Sequence, residues 1–284
     1  MNIFGIKKNA LSRSERILEG NKGLLQKAHA IVGITRVRNE SLILEDTLNH
    51  MACHVDAIVA YDDASTDKTL EILVTHPKVA LVISNSVWEP EMMARLQAET
   101  RHRELLRHLA RKRLRFEWIL CFDADERYIG EIRNFVETSA ALGCDGVRIQ
   151  LFDAYMAPDD CAPYNPSIGK ELINFRKYFG PERRDILMLW KNSKQIIFDG
   201  LDAREPKGVS LMRTSFYCQH YGKALSVKHW EDTCDYYIKH FPFETYGQKW
   251  LSRKGKAIHL QSDFGRALYA WGPELFANAT VISN

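Results

Sequence analysis

Phe116-Glu117-Trp118-Ile119-Leu120-Cys121-Phe122-Asp123-Ala124-Asp125-Glu126 is an apolar run that stops abruptly in three carboxylates within four residues. A run of that length and composition predicts a buried strand. The carboxylates then fall at its C-terminal end, the edge at which open α/β sheets bind ligands. Like charges so close together repel unless a cation or a shared proton relieves them. Hard cations such as Mg²⁺ and Mn²⁺ favour carboxylate oxygens and are often completed by substrate phosphates. The competing reading is a solvated acidic turn after a strand.

Upstream, the pattern repeats. Ile31–Thr35, Asp56–Tyr61 and Val79–Ser84 read as buried strands. They alternate with helices predicted over Asn39–Met51, Thr66–Val74 and Glu91–Arg113. Strands and helices in alternation argue for a three-layer α/β sandwich with a mainly parallel central sheet. Two further strand ends carry polar residues. Thr35-Arg36-Val37-Arg38-Asn39-Glu40 follows the first strand, with Asn39 placed to cap the next helix. Tyr61-Asp62-Asp63-Ala64-Ser65-Thr66-Asp67 follows the second, with Ser65 or Thr66 as N-cap. Asp62 and Asp63 are thereby expected on the same sheet edge as Asp123 and Asp125. An aspartate there can accept from the imide of a pyrimidine base or from a ribose hydroxyl.

The 284 residues are 45% hydrophobic, enough for one large domain or two small ones. A net charge of +3 does not by itself imply a nucleic-acid binder. The six cysteines form no C-x-x-C pair and no zinc spacing. They read as reduced thiols of a cytoplasmic protein, with peripheral membrane contact left open. No run approaches the ~20 apolar residues that span a bilayer. Residues 1–29, with Lys7, Lys8, Arg13 and Arg16, read as a basic arm outside the core. The α/β alternation breaks after Gly146. A strand at Val147–Phe152, a loop over Ala157–Gly169 and short strands at Ile186–Trp190 and Gln195–Phe198 are expected next. From about Val227 the chain turns helical and aromatic. The division predicted is 1–29, 30–150, 151–222 and 223–284.

Taken in order, "ITRVRNE", "YDDASTDKTLEIL" and "WILCFDADERY" resemble the signature of inverting family 2 glycosyltransferases with the GT-A (Rossmann-like) fold. The resemblance covers roughly residues 30–150. More weakly, "RRDILMLWKN", "DAREPKGV" and "CQHYGKALSVKHW" are similar to sub-groups acting on lipopolysaccharide cores and related glycans. Ile186 and Met188 stand where those sub-groups have polar and Arg positions, and Arg204 where His is common, so no acceptor is carried over.

The resemblance implies a nucleotide-sugar donor, most often a UDP-sugar, bound by the first half: residues 30–150 become the donor-binding half, 151–222 the acceptor side and 223–284 a helical extension. It implies that Asp63 contacts the base, Asp123 the ribose or donor sugar, and Asp125 a Mn²⁺ or Mg²⁺ ion bridging the diphosphate. His220 matches a late histidine that completes metal or diphosphate binding; neutral imidazole suits Mn²⁺, while the plainer reading is a packed core histidine. Thr35, Arg36, Asn39, Glu40 and Asp62 join the donor-binding set. Eight basic residues lie between Arg95 and Arg115 against Glu99 and Glu104. Arg107 is assigned to the diphosphate and most of the others to solvent. Inversion requires a general base on the acceptor hydroxyl. Glu205 is the first choice, then Asp185 and Asp202. The acceptor is a glycan, a lipid-linked or another hydroxyl; a nucleic acid is the less favoured case. Two rival classes are a sugar nucleotidyltransferase, which the absence of a glycine-rich loop after Gly33 opposes, and a non-catalytic nucleotide-sugar-binding protein.

Overall fold

The structure, a computed structural model, describes residues 10–139 and 143–282. Lys7 and Lys8 of the expected arm lie outside the described residues. In chain order the elements are β1 (Glu15–Glu19), β2 (Ala28–Val37), α1 (Leu44–Met51), β3 (Ala57–Asp63), α2 (Thr69–Thr75), β4 (Val79–Asn85) and α3 (Met92–Arg113). β5 (Arg115–Cys121), β6 (Glu126–Ile129), α4 (Ile132–Ser139), β7 (Gly146–Tyr155), β8 (Tyr178–Lys191) and β9 (Met212–His220) follow. The chain ends in α5 (Val227–His240), α6 (Gln248–Arg253), β10 (Tyr269–Ala270), α7 (Pro273–Ala277) and β11 (Thr280–Val281). Among the described residues no helix is long and apolar enough to cross a membrane.

Two compact units emerge, and neither is a contiguous segment. The first takes residues up to Ala124, Glu131–Arg148 and Leu187–Ser215; the second takes Asp125–Gly130, Ile149–Ile186 and Phe216 onward. In the first unit β2 pairs in parallel with β3 and β5, and β3 with β4, in the order β4-β3-β2-β5. Antiparallel β1 flanks β4, and the C-terminal part of β8 flanks β5. Side chains of a strand alternate between faces. Val32 and Ile34, Val59 and Tyr61, and Leu81 and Ile83 share one cluster with Leu105, Leu106 and Leu109 of α3. On the other face, a Cβ on Gly33 would come within 2.9 Å of the Phe122 ring and 3.4 Å of Ile58 and Val55.

In the second unit the order is β8-β7-β9-β6, with β10 and β11 also along β8. β6 and β9 are antiparallel, with Glu126 opposite His220. Trp230 and Cys234 of α5 pack with Met156 and Ala257. α5, with Trp250 of α6, thus shares a core with the segment after β7.

Several expected boundaries shift. Glu15–Glu19, placed in the arm, is a strand: Tyr61 donates to Glu15 Oε1 at 2.6 Å and Arg101 grips the same carboxylate at 2.6 and 2.7 Å. Gln195–Phe198 is no strand and makes a single bridge, Ile197 to Lys207. Glu126, counted among the acidic turn, is buried in β6 and accepts from the Tyr128 hydroxyl at 2.6 Å. The basic helix α3 is not largely solvated. Arg95, Arg103 and Arg107 are buried, and Arg101 and Arg113 are paired with Glu15 and Glu19.

Candidate functional site

At the strand ends of the first unit, the two loops selected from the sequence brace each other. Asn39 has φ +55°, a conformation that asparagine tolerates better than most residues. It does not cap α1; its Oδ1 accepts from the Thr66 amide at 2.8 Å. The Glu40 amide donates to Thr69 Oγ1 at 2.8 Å, and the Ser41 amide to Asp67 Oδ2 at 3.1 Å. Asn39 and Glu40 therefore hold loop to loop.

Asp63, 1% exposed, is the hub of an ion-pair cluster. Its Oδ2 accepts from Arg36 and from Arg95, each at 2.7 Å, while both arginines also reach Glu99. Burial by itself would raise the Asp63 carboxyl, but the Arg36 and Arg95 guanidinium groups hold it well below the usual range. His102 is pushed down by burial and by Arg36; its Nδ1 accepts from Arg36 Nε at 3.1 Å. The Asp63 oxygens are thus committed inside the protein, with Asn85 on Oδ1 at 3.3 Å.

Thr35 and Asp62 differ. In the β2–β3 register Thr35 lies opposite Ala60 and Val37 opposite Asp62, so both face away from Tyr61 and α3. Thr35 Oγ1 and Asp62 Oδ1 are buried without a hydrogen-bond partner among the described residues. Burial raises the Asp62 carboxyl. Unsatisfied buried oxygens are uncommon and call for a ligand, a water or a role.

Asp123 lies between two guanidinium groups, Arg204 Nε at 3.4 Å and Arg103 Nη2 at 3.6 Å. Thr47 of α1 braces the turn by donating to the Ala124 carbonyl at 2.5 Å. Arg107 is buried against Glu104, with bonds of 2.6 and 2.9 Å, and its Nη1 has no hydrogen-bond partner among the described residues. Glu205 is held bidentately by Arg148 at 2.6 and 2.9 Å. Asp202 sits at φ +49°, and its amide donates to the Leu96 carbonyl at 3.0 Å. A cavity of about 600 Å³ runs along α3, lined among others by Asn85, Val87, His102 and Phe198. None of the sequence-selected residues lines it.

In the second unit the β6–β9 ladder brings together residues 95 positions apart. Beyond Glu126 opposite His220, the Tyr221 amide donates to the Asp125 carbonyl at 2.8 Å. Asp125 Oδ2 and His220 Nε2 are then 3.2 Å apart. A Cβ on Gly222 would lie 2.7 Å from that Oδ2 and 3.0 Å from that Nε2, so only glycine leaves room beside the pair. His220 Nδ1 is 2.6 Å from Asp153 Oδ1. Burial opposes charge on the ring, yet Asp125 and Asp153 push His220 up to about 10. Asp185 is paired with Arg183 at 3.2 Å.

Among the described residues no three His, Cys, Asp or Glu side chains form a closed metal cage. The donor set of Asp125 and His220, one carboxylate and one imidazole with space kept clear beside them, nevertheless fits a cation that completes its shell with phosphate and water. Asp153, Arg184, Gly222 and Lys223 were missed from the sequence. The one available signal was Asp153, the only carboxylate in its strand.

No family model matches the chain. Uncharacterised proteins of Mycobacterium tuberculosis and Mycobacterium bovis are each 36% identical to it over 97 residues. That alignment covers 34% of this chain and 23% of each relative, so the chain spans less than a quarter of their length. Among solved structures, Staphylococcus aureus TarS aligns at 13% identity with a TM-score of 0.40, over 74% of this chain and 40% of that one. The mannosyltransferase PcManGT of Pyrobaculum calidifontis, in complex with GDP-Man and Mn²⁺, aligns at 14% and 0.36, over 76% and 64%.

Proposed function

We propose that the chain is a metal-dependent glycosyltransferase of GT-A type, moving a sugar from a nucleoside-diphosphate donor, a UDP-sugar by expectation, to an acceptor hydroxyl with inversion. The observation that carries this reading is the Asp125–His220 pair, 3.2 Å apart beside a glycine that leaves the space next to both donor atoms clear. In it, Asp125 and His220 hold the cation. A bound Mn²⁺ or Mg²⁺ would supply positive charge to the departing diphosphate.

The remaining roles are assigned from position and from the contacts each group makes. Asp63 anchors Arg36 and Arg95, so the base contact passes to its neighbour: Asp62 Oδ1 and, on the adjacent strand, Thr35 Oγ1 have no hydrogen-bond partner among the described residues. Asp123 takes the ribose or donor sugar. Arg204, partly exposed beside Asp123, replaces Arg107 as the guanidinium for the diphosphate. Glu205, Asp185 and Asp202 remain the candidates for the base. Each is separable by the pH profile of its amide variant, since only loss of the base removes the limb that reports it.

Donor hydrolysis and nucleotide release, measured with and without Mn²⁺ or Mg²⁺, test the reading. Metal-stimulated turnover is expected in the wild type and a loss of roughly a hundredfold or more in Asp125→Ala, by analogy with removal of other groups that stabilise developing charge. Equal metal-dependent turnover in the two proteins would reject it, and donor binding without turnover would leave a binding protein.

A further inference from the structure

We propose that Asp153 is a positioning residue for His220: it holds the imidazole by Nδ1 so that Nε2 is aimed at the point it shares with Asp125 Oδ2, and Lys223 and Arg184 hold Asp153 in turn. The inference rests on the reading of Asp125 and His220 as cation ligands.

Asp153 is the only carboxylate in β7, and its surroundings keep that carboxylate in one orientation. Oδ1 takes His220 Nδ1 at 2.6 Å and Arg184 Nη2 at 2.6 Å. Oδ2 takes Lys223 Nζ at 3.1 Å. Lys223 is buried, and its ammonium is itself fixed by Asp263 Oδ2 at 2.6 Å and the Tyr155 hydroxyl at 3.0 Å. Arg253 donates to the same Asp263 oxygen at 2.6 Å. A continuous chain of charged hydrogen bonds thus runs from the C-terminal segment to the histidine ring.

An imidazole has two usable nitrogens, and a metal needs the lone pair of one of them. A hydrogen bond from the other nitrogen to a carboxylate selects the tautomer and the ring orientation; losing such a partner commonly weakens metal binding ten- to a hundredfold. Here the partner of Nδ1 is Asp153, and Nε2 faces Asp125. A Cβ at Gly222 would crowd the open flank, and on the other side the short bond to Asp153 fixes the ring.

The test uses the full-length protein and Mn²⁺ alone. Mn²⁺ affinity is read from the free-ion electron paramagnetic resonance signal, and imidazole ligation from the nitrogen modulation of the pulsed experiment. Wild type is expected to bind with nitrogen modulation, which His220→Gln abolishes. Asp153→Asn is expected to bind about ten- to a hundredfold more weakly, with reduced modulation and a circular dichroism spectrum like that of the wild type. Lys223→Met, which keeps the Asp153 carboxylate but loosens it, is expected to shift both readouts the same way by less, and it serves where Asp153→Asn does not fold. Wild-type affinity and modulation in the two variants overturn the positioning role and leave the metal site standing. A wild type that takes no Mn²⁺, or keeps its modulation in His220→Gln, overturns the metal site and the inference with it.

Discussion

At Gly222 a single methyl group is expected to separate metal binding from folding. The Cβ of Gly222→Ala would lie 2.7 Å from Asp125 Oδ2, closer than carbon and oxygen can pack, so the pair must part. Calorimetric titration with Mn²⁺ should find at least a tenfold weaker site, while the melting temperature moves little because the clash is with side-chain ends. The adjacent aspartates on β3 divide in the opposite sense. Asp63→Asn leaves Arg36 and Arg95 buried with a weakened partner and is expected to destabilise by about 3–5 kcal/mol, the usual effect of breaking a buried pair. Urea unfolding measures it. Thr35→Val removes a buried hydroxyl with no hydrogen-bond partner among the described residues, so stability should hold or rise. Asp62→Asn keeps an oxygen for the Ser65 contacts and removes a carboxyl that burial disfavours as an anion, so its loss of stability should be small. Donor affinity, read by titration with UDP and Mn²⁺, should fall in both. Equal stability losses at positions 62 and 63 would contradict this division.

Among the elements, β1 and α3 depart furthest from their sequence reading, and for one reason. A charged residue is read as solvent-facing unless its partner is visible nearby, and the partners here are remote. Arg101 finds Glu15, Arg113 finds Glu19, and Arg36 of β2 joins Arg95 and Glu99 of α3. The β1 clasp has a pH signature. Burial tends to raise the Glu15 carboxyl, but bonds from Arg101 and Tyr61 bring it down to about 2 from a model-peptide value of 4.5. A carboxyl depressed on folding stabilises above its unfolded value, and that stability is lost as pH falls through the folded one. Thermal melts between pH 5 and pH 2 should therefore show a decline in the wild type that Glu15→Gln flattens, from a lower starting stability at neutral pH.

For the whole molecule, a ligand that binds only the native state raises stability by mass action, about 2.7 kcal/mol at a hundredfold excess over Kd. UDP with Mn²⁺ should accordingly raise the melting temperature by several degrees. Asp125→Ala and His220→Gln should lose the part of the shift that requires metal, and retain any shift from UDP alone. A metal-dependent shift that survives both substitutions would remove the cation from this pair of residues.

What the sequence determined by itself is the alternation of strands and helices over residues 30–122, because apolar periodicity is local and each element announces its own buried face. It also marked the polar strand ends Thr35, Asp62, Asp63 and Asp123, since their positions follow from where apolar runs stop. The tertiary structure alone decided what each of those groups touches. Asp63 is held by Arg36 and Arg95, whereas Asp62 Oδ1 has no hydrogen-bond partner among the described residues, a matter of neighbours from other elements. It alone joined Asp125 to His220, and His220 to Asp153, through strand pairing across 95 and 67 residues. A carboxylate's chemistry is set by the charges and donors that surround it, and those contacts are made in space, not along the chain.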